Sequence, residues 1–244
     1  MDPRVEAARY TANFVSAMIP RRARTVLDVG CGRGDVAVHL MARGCKVTGI
    51  DPSPSAVNQC AKRGIQTIEA DFAGYDSCRR YDVILFSRSL HHMNDPRGIL
   101  RKASRMLAPG GVVLIEEFAI EDVDEAAARW LLTMLRLVNT VGLAAKQRDK
   151  LPGDKRPALP WWKGIHRHKI HDGRTVIAAA RASLAVTQIE RVPYLFRYLA
   201  PELKKSAKSA AMLQHAHALE LATFGGTKRP FIGIRAICRP RFRS

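Results

Sequence analysis

The chain has 244 residues, 47% of them hydrophobic and 25% charged, which excludes wholesale disorder. No apolar run approaches the ~18 residues of a membrane span, and the first twenty residues carry Asp2 and Glu6 and lack the unbroken apolar stretch of a secretory leader. The formal charge is +18, with most of the excess in residues 121–244. That field suits nucleic acid, an acidic small molecule, an acidic partner protein or simple solubility. The five cysteines are odd in number and show no C-x-x-C spacing, so they form neither a disulfide framework nor a thiol-ligated zinc site. The expectation is a soluble, cytoplasmic protein in a reducing compartment.

In chain order, apolar residues at near-helical spacing predict a helix over 5–18. Residues 25–30 form a short β-branched run ending in glycine, a buried strand. A helical pattern over 35–43 stops at Gly44. The same alternation continues with a strand at 46–51, a helix at 54–62 and strands at 66–70 and 81–87. A helix at 96–107 and a strand at 112–116 complete it. This is the pattern of successive βαβ units, hence an α/β fold with a mostly parallel, doubly wound sheet. The runs VILF and VVLI are continuously apolar, as strands covered on both faces must be. After Phe118 the pattern changes. A long helical stretch is expected at 121–147, a Pro- and Gly-rich loop at 148–164 and a helix at 172–184. Strands at 185–193 and 231–239 enclose a helix at 201–224.

Residues 26–34, VLDVGCGRG, are a strand running into a glycine loop and a helix. Glycines permit the tight turn and let a ligand approach the backbone. Three further features fall at consistent positions. Asp51 ends the second strand, where an acid can bind ribose hydroxyls; Asp71-Phe72 follows the third; Ser87 ends the fourth. All lie at the carboxyl ends of strands, where ligands of open α/β sheets sit. The third glycine comes too early for the G-x-G-x-x-G dinucleotide fingerprint, which argues against NAD or FAD and for a nucleoside ligand without phosphates.

Together VLDVGCGRG (26–34), GIDPS (49–53), ADF (70–72), YDVILFSRSLHHMND (81–95) and LAPGG (107–111) resemble the class I S-adenosylmethionine (SAM) dependent methyltransferases over roughly residues 20–120. The branch it resembles is the broad small-molecule one with an LHH segment after strand four. The resemblance implies seven strands in the order 3-2-1-4-5-7-6, the last antiparallel. It implies one domain over 1–244: a lid helix in 1–20, a SAM-binding core in 21–120, and helical lid insertions at 121–172 and 200–226 on the substrate side. By position, Gly30 and Gly32 are expected to face the methionine part of SAM, with Asp28 supporting the loop. Asp51 is expected to hold the ribose hydroxyls, with Ser53 in the same set. Asp71 would accept from the adenine amino group, Phe72 would donate its backbone N–H, and Ser87 would contact the methionine end. The product would be S-adenosylhomocysteine.

Methyl transfer from a sulfonium releases a neutral leaving group, so alignment supplies most of the acceleration. A base is needed only for a hydroxyl, thiol or protonated amine. His92 and His91 are the candidates, His92 preferred, since adjacent side chains tend to diverge. Glu116 and Glu117 end strand five on the same rim; one can bind an amine or orient a base, and a solvated strand end is the plainer reading. Acceptor contacts are expected from Tyr10, Glu117, the paired indoles Trp161 and Trp162, and His166 in a basic stretch. No metal is expected, His166, His168 and His171 lacking an acidic or thiol partner. The partner is expected to be a small aromatic or acidic acceptor, with no membrane. The alternative is RNA or tRNA methylation through the basic C-terminal half, and a third reading is a SAM-fold protein without catalysis.

Overall fold

The computed structural model describes the whole chain except residues 21, 22, 147–150, 154, 166–170, 228–230 and 242–244. Its strands are β1 (Thr25–Val29), β2 (Lys46–Asp51), β3 (Gln66–Glu69), β4 (Tyr81–Ser87), β5 (Leu107–Phe118), β6 (Ala185–Val192) and β7 (Gly233–Arg239). They form a single sheet in the order β3-β2-β1-β4-β5-β7-β6, parallel from β3 to β5 and with β7 antiparallel. The helices are α1 (Pro3–Met18), α2 (Asp35–Met41), α3 (Pro54–Ala61), α4 (Pro96–Arg105), α5 (Glu125–Thr140), α6 (Ala158–Ile165), α7 (Gly173–Ser183) and α8 (Ala207–Phe224).

The chain divides into two compact units. One, the sheet unit, comprises Ala8–Phe118, His171–Glu190 and Ile234–Ser244; the other, the helical unit, comprises Met1–Ala7, Ala119–Ile170 and Arg191–Gly233. In the sheet unit, alternate strand residues feed opposite faces. Leu27, Ile84, Phe86 and Ile115 pack with Leu100 of α4 and Val176 of α7. Val26, Val83, Leu85 and Leu114 pack with Ala12 of α1 and Leu40 of α2. Both faces are covered, which is why β4 and β5 are apolar without alternation. α3 and α4 open on Ser-Pro and Asp-Pro: Ser53 accepts from Ala56 N–H at 3.4 Å and Asp95 from Gly98 N–H at 2.9 Å, with proline at the first helical position, where no N–H is required.

In the helical unit the structure departs from the sequence expectation in three places. The stretch expected as one helix over 121–147 begins with a 3-10 turn at Ile120–Asp122, and α5 then ends before Gly142, which has φ +71°. Within the expected loop, α6 forms, because both carboxylate oxygens of Glu125 cap its first N–H groups, those of Ala158 and Leu159, at 2.8 Å each. The expected helix over 201–224 starts at Ala207, capped by Ser206; before it, Leu195–Glu202 is a 3-10 stretch containing Pro201. Buried Glu220 of α8 holds the start of that stretch by accepting N–H bonds from Tyr194, Leu195 and Phe196 at 2.7, 3.0 and 2.8 Å.

Candidate active site

The glycine loop after β1 is fixed from below. Gly30 and Cys31 donate their N–H groups to Ile50 O at 2.8 and 3.2 Å. Gly30 has φ +71°, and a Cβ there would collide with Ser89 Cβ; Ser89 is itself tied by its hydroxyl to Val29 O at 2.6 Å. Only glycine meets both conditions. Gly32 also has positive φ, +53°, but a Cβ there would meet nothing within 4 Å. Its backbone therefore faces open space, as close approach by a ligand requires. Gly32 N–H donates to Asp51 Oδ2 and Ser53 N–H to Asp51 Oδ1, each at 2.9 Å. One bond per oxygen leaves that carboxylate further acceptor capacity.

Above the loop lies a cavity of about 940 Å³ at the carboxyl ends of β1, β2, β3 and β4, with Gly30, Asp51, Asp71, Phe72, Arg88 and His92 in its walls. Asp71 accepts from Ala73 N–H at 2.9 Å. The Phe72 ring is buried edge-on against Phe86, with Lys102 Nζ 5.6 Å from its centroid. Lys102 in turn donates to Ala73 O at 2.8 Å and so ties α4 to this wall. Arg88 is the one non-glycine among the described residues with positive φ, 57°, a strained conformation of the kind that collects at functional sites.

Next to the cavity, His91, in the 3-10 turn Leu90–His92 that follows β4, and Glu117, near the end of β5, form a buried pair. His91 Nδ1 donates to Glu117 Oε2 at 2.6 Å, and His91 N–H to Oε1 at 3.3 Å. The rings of His91 and His92 lie 4.0 Å apart, and that of His91 meets Phe118 edge-on at 4.9 Å. His171 braces the turn: its N–H donates to His91 O at 2.9 Å and its Nε2 to Met93 O at 3.0 Å.

Burial pushes the Asp28 carboxyl up to about 7, partly offset by the Arg88 charge. It also raises the thiols of Cys31 and Cys60, whose sulfurs lie 3.9 Å apart under the loop. They are packed, protonated side chains.

A parallel sheet in this order, with an acid-bearing glycine loop opening into a cavity at its carboxyl edge, is matched at the level of sequence. The model of the methyltransferase-domain family covers residues 4–148, more than half of the chain. The chain belongs to that methyltransferase family. Its fold is the class I methyltransferase fold. The ubiquinone biosynthesis O-methyltransferase of Pseudomonas putida (strain F1) is 34% identical over 109 residues, which span 41% of this chain and 47% of that protein. The protein of the same description from Marinobacter nauticus is 28% identical over 113 residues, 42% of this chain and 48% of that one. The chain thus spans about half the length of the curated relatives it matches. Two solved structures cover almost all of it. The plantazolicin methyltransferase BpumL, in complex with S-adenosylhomocysteine (SAH) and a triazolic analogue, is 14% identical, covers 98% of this chain and 85% of its own, and has a TM-score of 0.56. The N-methyltransferase NodS from Bradyrhizobium japonicum WM9 with SAH is 16% identical, with 98% and 88% covered and a TM-score of 0.55. At such identity the likeness is one of fold.

In this methyltransferase the structure brings Gly30, Asp51, Asp71, Phe72 and His92 to one cavity; Gly32 is not in its lining and is tied to it through Asp51, which accepts its N–H. Asp28 is buried beneath the loop. Ser53 serves as the α3 cap, and Ser87 is buried with its hydroxyl unpartnered, while its neighbours Arg88 and Ser89 reach the wall. Tyr10 sits on α1, where its carbonyl accepts from Arg235. Glu116 and Glu117 are not solvated strand ends. Both are buried: Glu116 accepts from Thr11 Oγ1 at 3.0 Å and Arg235 Nε at 3.2 Å, and Glu117 faces His91. Nor are His91 and His92 splayed apart. Trp161 and Trp162 lie on α6 rather than on a loop. Trp162 is buried, donating from Nε1 to Ile120 O at 3.4 Å and packing on Tyr198, so it is not an exposed indole. His166 and His168 lie outside the described residues. Arg88 and Ser89 are among the wall residues that sequence reasoning missed; their signal was the S-R-S at the end of the β4 run. Among the described residues, no helix is long and apolar enough to cross a membrane and no cluster of three His, Cys, Asp or Glu side chains is grouped for a metal.

Proposed function

We propose that this chain is a SAM-dependent methyltransferase acting on a small molecule, with an aromatic or acidic acceptor. The observation that carries the reading is the cavity that joins Gly30, the spare acceptor capacity of Asp51, which also holds the Gly32 N–H, and the Asp71-Phe72 corner. Those residues fit an adenosine-bearing, phosphate-free cofactor. Asp51 would accept from ribose hydroxyls. Asp71 and the Phe72 N–H, which has no protein acceptor among the described residues, would meet the adenine edge. Gly30 and Gly32 would admit the amino-acid tail, with Asp28 beneath them. When bound, SAM supplies a methyl group on a sulfonium, whose transfer leaves a neutral thioether. The chain's own task is then to hold the acceptor in line, keep water out and take up any proton the acceptor must lose. His92 in the cavity wall and His91 beside it are the groups available for that proton.

Calorimetry with SAM and SAH tests the reading. Asp51→Ala removes a charged acceptor together with the anchor of Gly32, and should weaken SAM by about 10- to 100-fold. Gly32→Val strains a left-handed position and puts a side chain on the open side of the loop next to Asp51, and should abolish binding. Undiminished affinity in both variants overturns the assignment.

A further inference from the structure

We propose that Glu117 is a positioning residue that makes His91 a general base, and that the methyl acceptor therefore carries a hydroxyl group; this rests on the methyl-transfer reading above. The carboxylate of Glu117 can only accept, so its 2.6 Å contact fixes the proton of the imidazole on Nδ1. The basic lone pair is then on Nε2, which has no hydrogen-bond partner among the described residues. A free histidine side chain in water favours the opposite tautomer, with the proton on Nε2, and turns freely; the Glu117 contact reverses the first and restrains the second. His171 grips the turn at the His91 and Met93 carbonyls, and Phe118 closes the ring's edge. Burying a carboxylate with an imidazole forfeits the hydration of both, which a strand end required only for folding does not call for.

The chemistry selects the acceptor. Carbon nucleophiles of enamine type and neutral amines attack a sulfonium with their own lone pair and need no prior deprotonation. Thiols and ammonium groups must also lose a proton and are the competing acceptors; the acceptor proposed for this site is a phenol or enol hydroxyl, which becomes an effective nucleophile as it loses its proton. Its O–H bond breaks, the proton goes to His91 Nε2, and the oxygen's electron pair forms the new bond to the methyl carbon as sulfur keeps the pair it held. Glu117 then faces an imidazolium and offsets its charge.

Glu117→Gln separates this role from a structural one. The amide keeps an oxygen for the His91 backbone N–H, but its NH2 group is a donor toward Nδ1 and drives the imidazole proton to Nε2. Nitrogen-15 NMR of histidine-labelled protein, with His91 assigned by His91→Asn, should show the Nδ1–H tautomer in the wild type and the Nε2–H tautomer in Glu117→Gln. The Nε2–H form in the wild type, or no change in the variant, overturns the proposal without reference to turnover. With SAM and a panel of para-substituted phenols of graded acidity, Glu117→Gln should lose about 10²- to 10⁴-fold in kcat, with KM and SAM affinity unchanged. The loss should shrink toward the most acidic phenol, which needs no base. A loss equal across the panel overturns the proposal, as does a wild type that binds SAM yet methylates only amines. Failure of the wild type to bind SAM at all instead sinks the methyl-transfer reading itself.

Discussion

Asp28 shows how a single position can couple the glycine loop to pH. In an unfolded chain its carboxyl titrates near ~3.9; burial in the fold raises it to about 7. Between those values the folded protein holds a proton that the unfolded chain has lost. The stability contributed by this carboxyl is therefore complete below ~4 and is lost as pH rises through 7. Asp28→Asn, a neutral mimic of the protonated form, should gain on the wild type as pH rises. Denaturant titrations at pH 5 and pH 8 read the difference directly, and a difference that does not grow rejects the assignment. Neither this coupling nor the left-handed Arg88 was legible in the sequence, since each depends on what the fold places around the residue. Gly30, Gly32, Asp51 and Asp71 were legible, because their work is local to the turns that close each strand and leaves a fixed spacing behind. His91 and Glu117 were only half visible. The sequence put them on one rim, but their ring-to-carboxylate contact follows from the β4–β5 register, in which Ser87 stands opposite Glu116.

Among the elements, the strands of the parallel core were open to sequence reasoning for a physical reason, whereas the sheet order came with the family resemblance. A strand covered on both faces must be apolar throughout, and turns at its ends must carry Gly, Pro or Asp. The helices after β5 were harder. α6 carries Pro160 and Gly164, both loop signals, and its N-terminus is completed by Glu125, which is 33 positions before Ala158. No local pattern encodes a cap supplied from so far away. The 3-10 stretch Leu195–Glu202 has the same character, since its three leading N–H groups end on Glu220. In Glu220→Gln one oxygen becomes a donor and at least one of those N–H groups is left facing it. An unsatisfied buried group costs about 1–3 kcal/mol, so Tm should fall by roughly 3–10 °C in a protein of this size. A variant that melts with the wild type would show that water replaces the carboxylate there.

Across the whole molecule the charge of +18 guarantees some attraction for any polyanion. What separates that from recognition is its response to salt. Several phosphate contacts lose roughly 10³- to 10⁵-fold in affinity between 50 and 200 mM salt, whereas a zwitterionic cofactor held by hydrogen bonds should change less than about threefold. Filter binding of bulk tRNA should accordingly vanish by 200 mM while SAH affinity persists. Retention of tRNA at 200 mM would turn the reading toward an RNA acceptor. The chain leaves the sheet unit at Phe118 and rejoins it at His171, and both residues touch His91, one by its ring and the other by its backbone N–H. Departure and return are thus one imidazole apart. Any replacement of that excursion has to close on the same histidine at both splice points, or His91 loses two of its supports.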